Sequence, residues 1–191
     1  MSMERIVVLG SSSGAGKSTF ARRLGDILRV PVHHLDVLFW KPGWVESAPD
    51  EFAHAQSVRV DQPCWIIEGN YTSTYHLRES RADTLIYLDM PLSVCLWRVV
   101  KRRVRYRHAS RPDIAPGCPE KIDASFLWFI LRTYHKRRHN MARRVRTFHQ
   151  SGRSAIILKG HRQQQQFLEK LALKTPGLDS YIHPSSRGTL K

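Results

Sequence analysis

Arg5-Ile6-Val7-Val8-Leu9-Gly10-Ser11-Ser12-Ser13-Gly14-Ala15-Gly16-Lys17-Ser18-Thr19 stands near the start of the 191-residue sequence and decides its reading. Ile6 to Leu9 is apolar without alternation, the pattern of a strand covered on both faces. A Gly/Ser-rich turn follows, and then the first turn of a helix. That order lets backbone N–H groups converge on anionic oxygens at a helix N-terminus, which is how a phosphate chain is wrapped. Lys17 adds a mobile positive charge, and Ser18 a hydroxyl suited to a divalent cation. The spacing departs once from Gly-x-x-x-x-Gly-Lys-Ser/Thr. Its first glycine falls on Ser11, with Gly10 one place too early. Gly14, Gly16, Lys17 and Ser18 are intact, and Gly-Lys-Ser-Thr at a strand-to-helix junction points to phosphate more than to a plain flexible turn.

Around this stretch the chain alternates strand and helix patterns. Strands are predicted over 5–9, 32–35, 64–68, 84–88 and 155–158. Helices are predicted over 17–28, 50–60, 92–107, 120–150 and 163–173. In the first helix Phe20, Leu24, Ile27 and Leu28 fall on one face. The aromatic segment Phe39-Trp40-Lys41-Pro42-Gly43-Trp44 reads as a loop, as does 109–118 with Pro112, Pro116 and Gly117. From Lys174 onward the sequence is polar and is expected to be a loose tail. Such alternation predicts an α/β fold on a parallel sheet, with its site outside the carboxyl ends of the strands.

Bulk properties narrow the partners. The length suits one domain, and 41% hydrophobic residues is ordinary for a globular chain. No apolar run approaches a membrane span of about 18 residues, and no signal core is visible, so a cytoplasmic protein without membrane contact is expected. Cys64, Cys95 and Cys118 are widely spaced, which predicts reduced thiols rather than a disulfide framework or metal set. The formal charge of +15 is the unusual figure and implies polyanionic partners, nucleotides or nucleic acid. Between Arg98 and Arg162 there are 18 Lys/Arg and 3 Asp/Glu.

The predicted strand ends carry the candidate chemistry. Asp89 closes an apolar strand and can hold Mg²⁺ through water beside Ser18, cap the helix near Leu92, or both. Asp36 and Glu68 are rival second carboxylates for orienting an acceptor hydroxyl, acting as base or touching the metal shell. Asp36 is preferred because it opens the Trp-rich loop. Arg98 and Arg102, four apart on one helix, share a face that can grip a polyphosphate. Ser110 to Asp113, including Arg111, and the face bearing Arg132 and His135 are candidates for a movable lid. His33 and His34 read as strand residues near the site, not metal ligands. Trp40 and its aromatic neighbours either stack on a base, cover an acceptor, or simply pack.

Together these motifs resemble the adenylate-kinase-like P-loop kinases, and most nearly the bacterial FlaR-type DNA topology modulation proteins. The match runs in order over roughly residues 4–172: Arg5 to Thr19, His34-Leu35-Asp36 with the aromatic segment, Trp65 to Tyr71, Thr84 to Pro91, and Arg111 to Pro119. The resemblance implies a three-layer P-loop NTPase with a five-stranded sheet in order 2-3-1-4-5. It implies a kinase-like domain over 1–173, with an acceptor segment at about 36–62, a helical lid at about 103–140 and a tail over 174–191. It also implies ATP held by Ser12, Ser13, Gly14, Ala15, Gly16, Lys17, Ser18 and Thr19, and Mg²⁺ held by Ser18 and Asp89. Arg98 and Arg102 fall where the family places two phosphate-binding arginines after Asp-x-Pro. Lys17, Arg98, Arg102 and Asp36 are then catalytic, while Asp36, Trp40, Glu68, Arg78, Arg111 and Arg132 address the acceptor. The family's Asp-Gly-Phe-Pro-Arg is here Glu68-Gly69-Asn70-Tyr71-Thr72, so its nucleotide-gripping arginine is missing and Arg78 is the candidate substitute. The expected activity is phosphoryl transfer from ATP to a small acceptor, of the nucleoside/nucleotide kinase type. A basic DNA-binding protein using ATP as switch or relic, and a small-metabolite kinase of the shikimate type, are the alternatives.

Overall fold

The computed structural model describes residues 3–106, 113–119 and 123–175. Five parallel strands make the central sheet: β1 (Arg5–Gly10), β2 (Val32–His34), β5 (Trp65–Glu68), β6 (Thr84–Asp89) and β7 (Ser154–Lys159). They lie in the order β2-β5-β1-β6-β7, which is 2-3-1-4-5 when only the sheet strands are counted. β1 sits in the middle, with Val7 beside Ile67 on one side and Leu85 on the other.

Period-two geometry divides β1 between two cores. Ile6 and Val8 meet Phe20, Leu24 and Leu168 from α1 (Lys17–Leu28) and α7 (Gly160–Lys174). Val7 and Leu9 face the other way, where Phe52, Tyr75, Met141 and Phe148 are buried. These come from α3 (Pro49–Val60), α4 (Tyr75–Arg81) and α6 (Ala124–Gln150). Helices on both faces explain why β1, β5 and β6 read as continuous apolar runs. α5 (Leu92–Arg105) leaves the end of β6 and passes beside the Gly-rich turn: an added Cβ at Gly14 would lie 2.3 Å from the Cys95 carbonyl oxygen.

Local differences from the sequence reading have physical causes. The aromatic segment forms α2 (Leu35–Phe39) and an antiparallel hairpin of β3 (Trp40–Lys41) with β4 (Val45–Glu46). Gly43 and Trp44 supply the left-handed turn, at φ 79° and 66°. α4 carries no apolar period that betrays it, because one of its two buried residues is Arg78. α6 begins at Ala124, where the Asp123 carboxylate accepts from Phe126 N–H at 2.8 Å. Within the expected lid, Ile130 and Tyr134 of α6 are buried, which anchors that end of the segment. No described helix is long and apolar enough to cross a membrane. The expected tail from residue 176 lies outside the described residues.

Candidate functional site

At the carboxyl end of β1 the chain turns through Ser11 to Gly16 into α1. Gly14 and Gly16 take φ of 82° and 89°, which glycine adopts without steric penalty. Ser11 replaces the absent first glycine and is fully buried. Its hydroxyl donates to Met90 O at 3.0 Å and accepts from Met90 N–H at 3.2 Å, while its own N–H donates to Leu88 O. The departure from the usual spacing thus ties the turn to the end of β6. On the other side, the Asn70 side chain pairs with both Gly10 N–H and Gly10 O, at 3.0 and 2.7 Å. Asn70 was quoted in the sequence without a role, since a side-chain brace has no spacing signature.

Beside this turn lies a cleft of about 580 Å³. Ser13, Gly14, Gly16, Lys17, Ser18 and Thr19 form one wall. Arg98 and Arg102 face them from α5, joined by Lys101 and Arg105, and Arg22 comes from α1. Asp36, Glu68 and Asp113 are the acidic groups of the lining. Six cations against three carboxylates make a cleft of positive potential, suited to a polyanion. Arg98 Nη1 lies 3.5 Å from Ala15 O, over the turn itself. The same arginine reaches a smaller groove of about 160 Å³ between α1 and α7, walled by Phe20, His161 and Leu168.

The two strand-end carboxylates beside β1 have different partners. Ser18 Oγ donates to Glu68 Oε1 at 2.9 Å, and His34 Nδ1 lies 2.9 Å from the same oxygen. Asp89 instead accepts from Arg138 Nε and Nη2, both at 2.8 Å, so both its oxygens belong to α6. Nor does Asp89 cap α5, whose N-cap is Pro91 with no side-chain bond. Two strands end in carboxylates on either side of β1, and β5 supplies the one that meets the serine.

The acceptor-side expectations divide. Asp36 lines the cleft, and its Oδ1 accepts from Tyr71 Oη at 2.8 Å. Burial, then the charge of Asp36, pushes the Tyr71 phenol far above its ordinary range, so it stays a donor. Trp40 lines an adjoining pocket of about 460 Å³ that also touches Ser13, Asp36 and Arg102. Arg78 does not reach either cavity. It is fully buried, and its guanidinium donates to Gly69 O, Tyr71 O, Thr74 O and the Gln56 side chain. It buckles the turn after β5 rather than gripping a ligand. Arg132 is exposed on α6 and lines neither cavity, and Arg111 lies outside the described residues.

The residues fit the phosphate chain and divalent ion that the motif implies. The Ser12 hydroxyl is buried with no hydrogen-bond partner, inside the turn that leads to Lys17. A Cβ at Gly16 would stand 3.1 Å from the Arg98 guanidinium, closing the space between turn and arginine. Among the described residues no cluster of three or more His, Cys, Asp or Glu could hold a metal ion.

No protein-family model matches the chain, and no curated protein matches it in sequence. Solved structures do share its fold. One is a shikimate kinase from Aquifex aeolicus, with TM-score 0.53 and 16% identity over 89% of this chain and 94% of that one. Another is a gluconokinase from Sinorhizobium meliloti, with TM-score 0.50 and 17% identity over 90% and 95%. At these identities the likeness is one of fold: a three-layer, P-loop-kinase-like α/β architecture.

Proposed function

We propose that the protein is a Mg²⁺-dependent phosphotransferase that moves the γ-phosphoryl group of ATP to the hydroxyl of a small acceptor. The observation that carries this reading is the convergence of the left-handed Gly14/Gly16 turn, Lys17, Arg98, Arg102 and the Ser18–Glu68 pair on one cleft. Residues 12–19 hold the phosphate chain, and Lys17 balances charge on its outer phosphates. Ser18 and Glu68 hold the metal, which when bound neutralises phosphate charge. Arg98 and Arg102 are fixed cations where charge spreads in transfer, an electrostatic role that needs little rearrangement. Asp36 accepts the proton of the acceptor hydroxyl, held in aim by Tyr71 Oη. The hydroxyl oxygen forms the new bond to phosphorus as the bond to the bridging oxygen of ADP breaks. The hairpin β3–β4 and residues 113–119 serve as the acceptor cover.

The test is ATP consumption and ATP binding, measured with and without candidate alcohols. Lys17→Ala is expected to lower turnover by at least about 10²-fold, the scale of losing a preorganised charge at the reacting group. Unchanged ATP binding and turnover in this variant would sink the reading. Its rival rests on the +15 charge. If binding duplex DNA is the main activity, affinity must fall steeply with salt and ATP turnover must ignore small alcohols.

A further inference from the structure

The pocket next to Asp36 has a chemical character of its own. Its volume of about 460 Å³ lies within the range of small-ligand sites. One wall is Trp40 and Trp44, whose rings meet edge to face with centroids 5.2 Å apart. Phe126 and Phe129, stacked near the start of α6 with centroids 6.5 Å apart, also line the pocket. At the end shared with the phosphate cleft are Ser13, Asp36 and Arg102.

Two observations bear on charge. The charged residues of the lining are Asp36, Asp123 and Arg102, so a ligand anion meets two carboxylates against one guanidinium, and that guanidinium stands at the end shared with the phosphate cleft. The N-terminus of α6 is an obvious seat for an anionic group, but the Asp123 carboxylate already occupies it, accepting from Phe126 N–H.

The aromatic end is also held in place. Trp44 sits at φ 66°, a conformation that a bulky side chain adopts only when its surroundings impose it. Its indole N–H donates to Pro119 O at 2.8 Å, Gly43 N–H donates to Gly117 O at 2.9 Å, and Cys118 Sγ donates to Lys41 O at 3.2 Å. These three bonds clasp residues 117–119 to the hairpin and fix the Trp rings before any ligand arrives. Rigid rings at fixed spacing suit a flat body.

We infer that this subsite takes an uncharged, flat-ringed alcohol of the nucleoside class. The ring would lie among Trp40, Trp44 and Phe126, and the primary hydroxyl would reach Asp36 at the phosphate end. The inference rests on the phosphotransfer reading only for what then happens to the hydroxyl.

Calorimetric titration of the ATP-free protein with adenosine, guanosine, cytidine and uridine tests the subsite directly. Nucleoside monophosphates and polyhydroxy acids serve as charged competitors. The expected result is saturable binding of at least one nucleoside, tighter than its monophosphate. Phe126→Ala, at a half-buried position near a helix start, should weaken it about tenfold, the scale of losing one stacking partner. ATP affinity of the same variant reports that it is folded. Tighter binding of the monophosphates or hydroxy acids, or no nucleoside binding at all, overturns the inference. A nucleoside that binds without stimulating ATP consumption upholds the subsite and overturns the phosphotransfer reading instead.

Discussion

Glu68 and Asp89 are the same kind of residue in the same kind of place, each ending an apolar strand beside β1. Sequence spacing treats them alike. Their partners do not: Ser18 and His34 meet Glu68, while Arg138 takes Asp89. Paired variants separate the roles. Glu68→Gln keeps an acceptor for Ser18 but removes the charge, and should lower Mg²⁺-supported turnover by about 10–100-fold with little change in melting temperature. Asp89→Asn should leave the Mg²⁺ requirement alone. It weakens a fork whose guanidinium is half exposed, so the cost is about 1 kcal/mol, or roughly 2–4 °C in Tm. Magnesium titrations and thermal melts on both variants decide. Reversed effects would place the metal at Asp89 instead of Glu68. The gathering of Gly14, Gly16, Lys17, Ser18, Arg98 and Arg102 on one cleft was legible at this scale because it follows from local spacing. Glu68 was seen as one of several carboxylates, and Arg138 was one more charge in a basic helix.

Elements built on apolar period were readable, and those built on polar burial were not. α1 matches its reading at Lys17–Leu28 because Phe20, Leu24 and Ile27 fall on one face. α4 was missed because its inward face includes a guanidinium. Arg78 is fully buried, and burial pushes it down to about 10 from its ordinary value. Its four bonds hold the turn that carries Tyr71, and Tyr71 in turn donates to Asp36. Under the proposed function Arg78 is therefore a positioning residue for the acceptor side. Arg78→Met strands several carbonyl oxygens while relieving a buried charge, for a net loss of about 3 kcal/mol. That corresponds to a Tm lower by roughly 6–12 °C. Differential scanning calorimetry measures it. A normal melt combined with lost acceptor affinity would restore the gripping role.

For the whole molecule, strand–helix alternation sufficed for a parallel sheet covered on both faces, because few other packings bury it, while the strand order followed from the family resemblance. The polar and aromatic packing on one of those faces has a consequence that the hydrophobic pattern conceals. Tyr71, Tyr75 and Tyr87 all lie on the α3–α4–α6 side, and Tyr75 and Tyr87 are within that core. Burial raises all three phenols: Tyr75 up to about 12, Tyr71 and Tyr87 beyond it. A phenol whose pKa rises on folding keeps its proton where the unfolded chain has lost it. The stability it contributes is complete below about pH 10 and is lost as pH climbs toward and past 12. Arg78 acts in the opposite sense over part of that window, since its lowered pKa makes the unfolded state the better proton binder there. Tyr134 is raised by burial as well and Arg137 is lowered by it, so four raised phenols stand against two lowered guanidiniums and stability should fall overall through this range. Tyrosinate absorbance and far-UV circular dichroism, followed together from neutral to alkaline pH, test this. A fraction of the phenols should ionise in one cooperative step coincident with loss of helix signal. Smooth ionisation near pH 10 with the helices intact would show that these three side chains are wetter than the packed face allows.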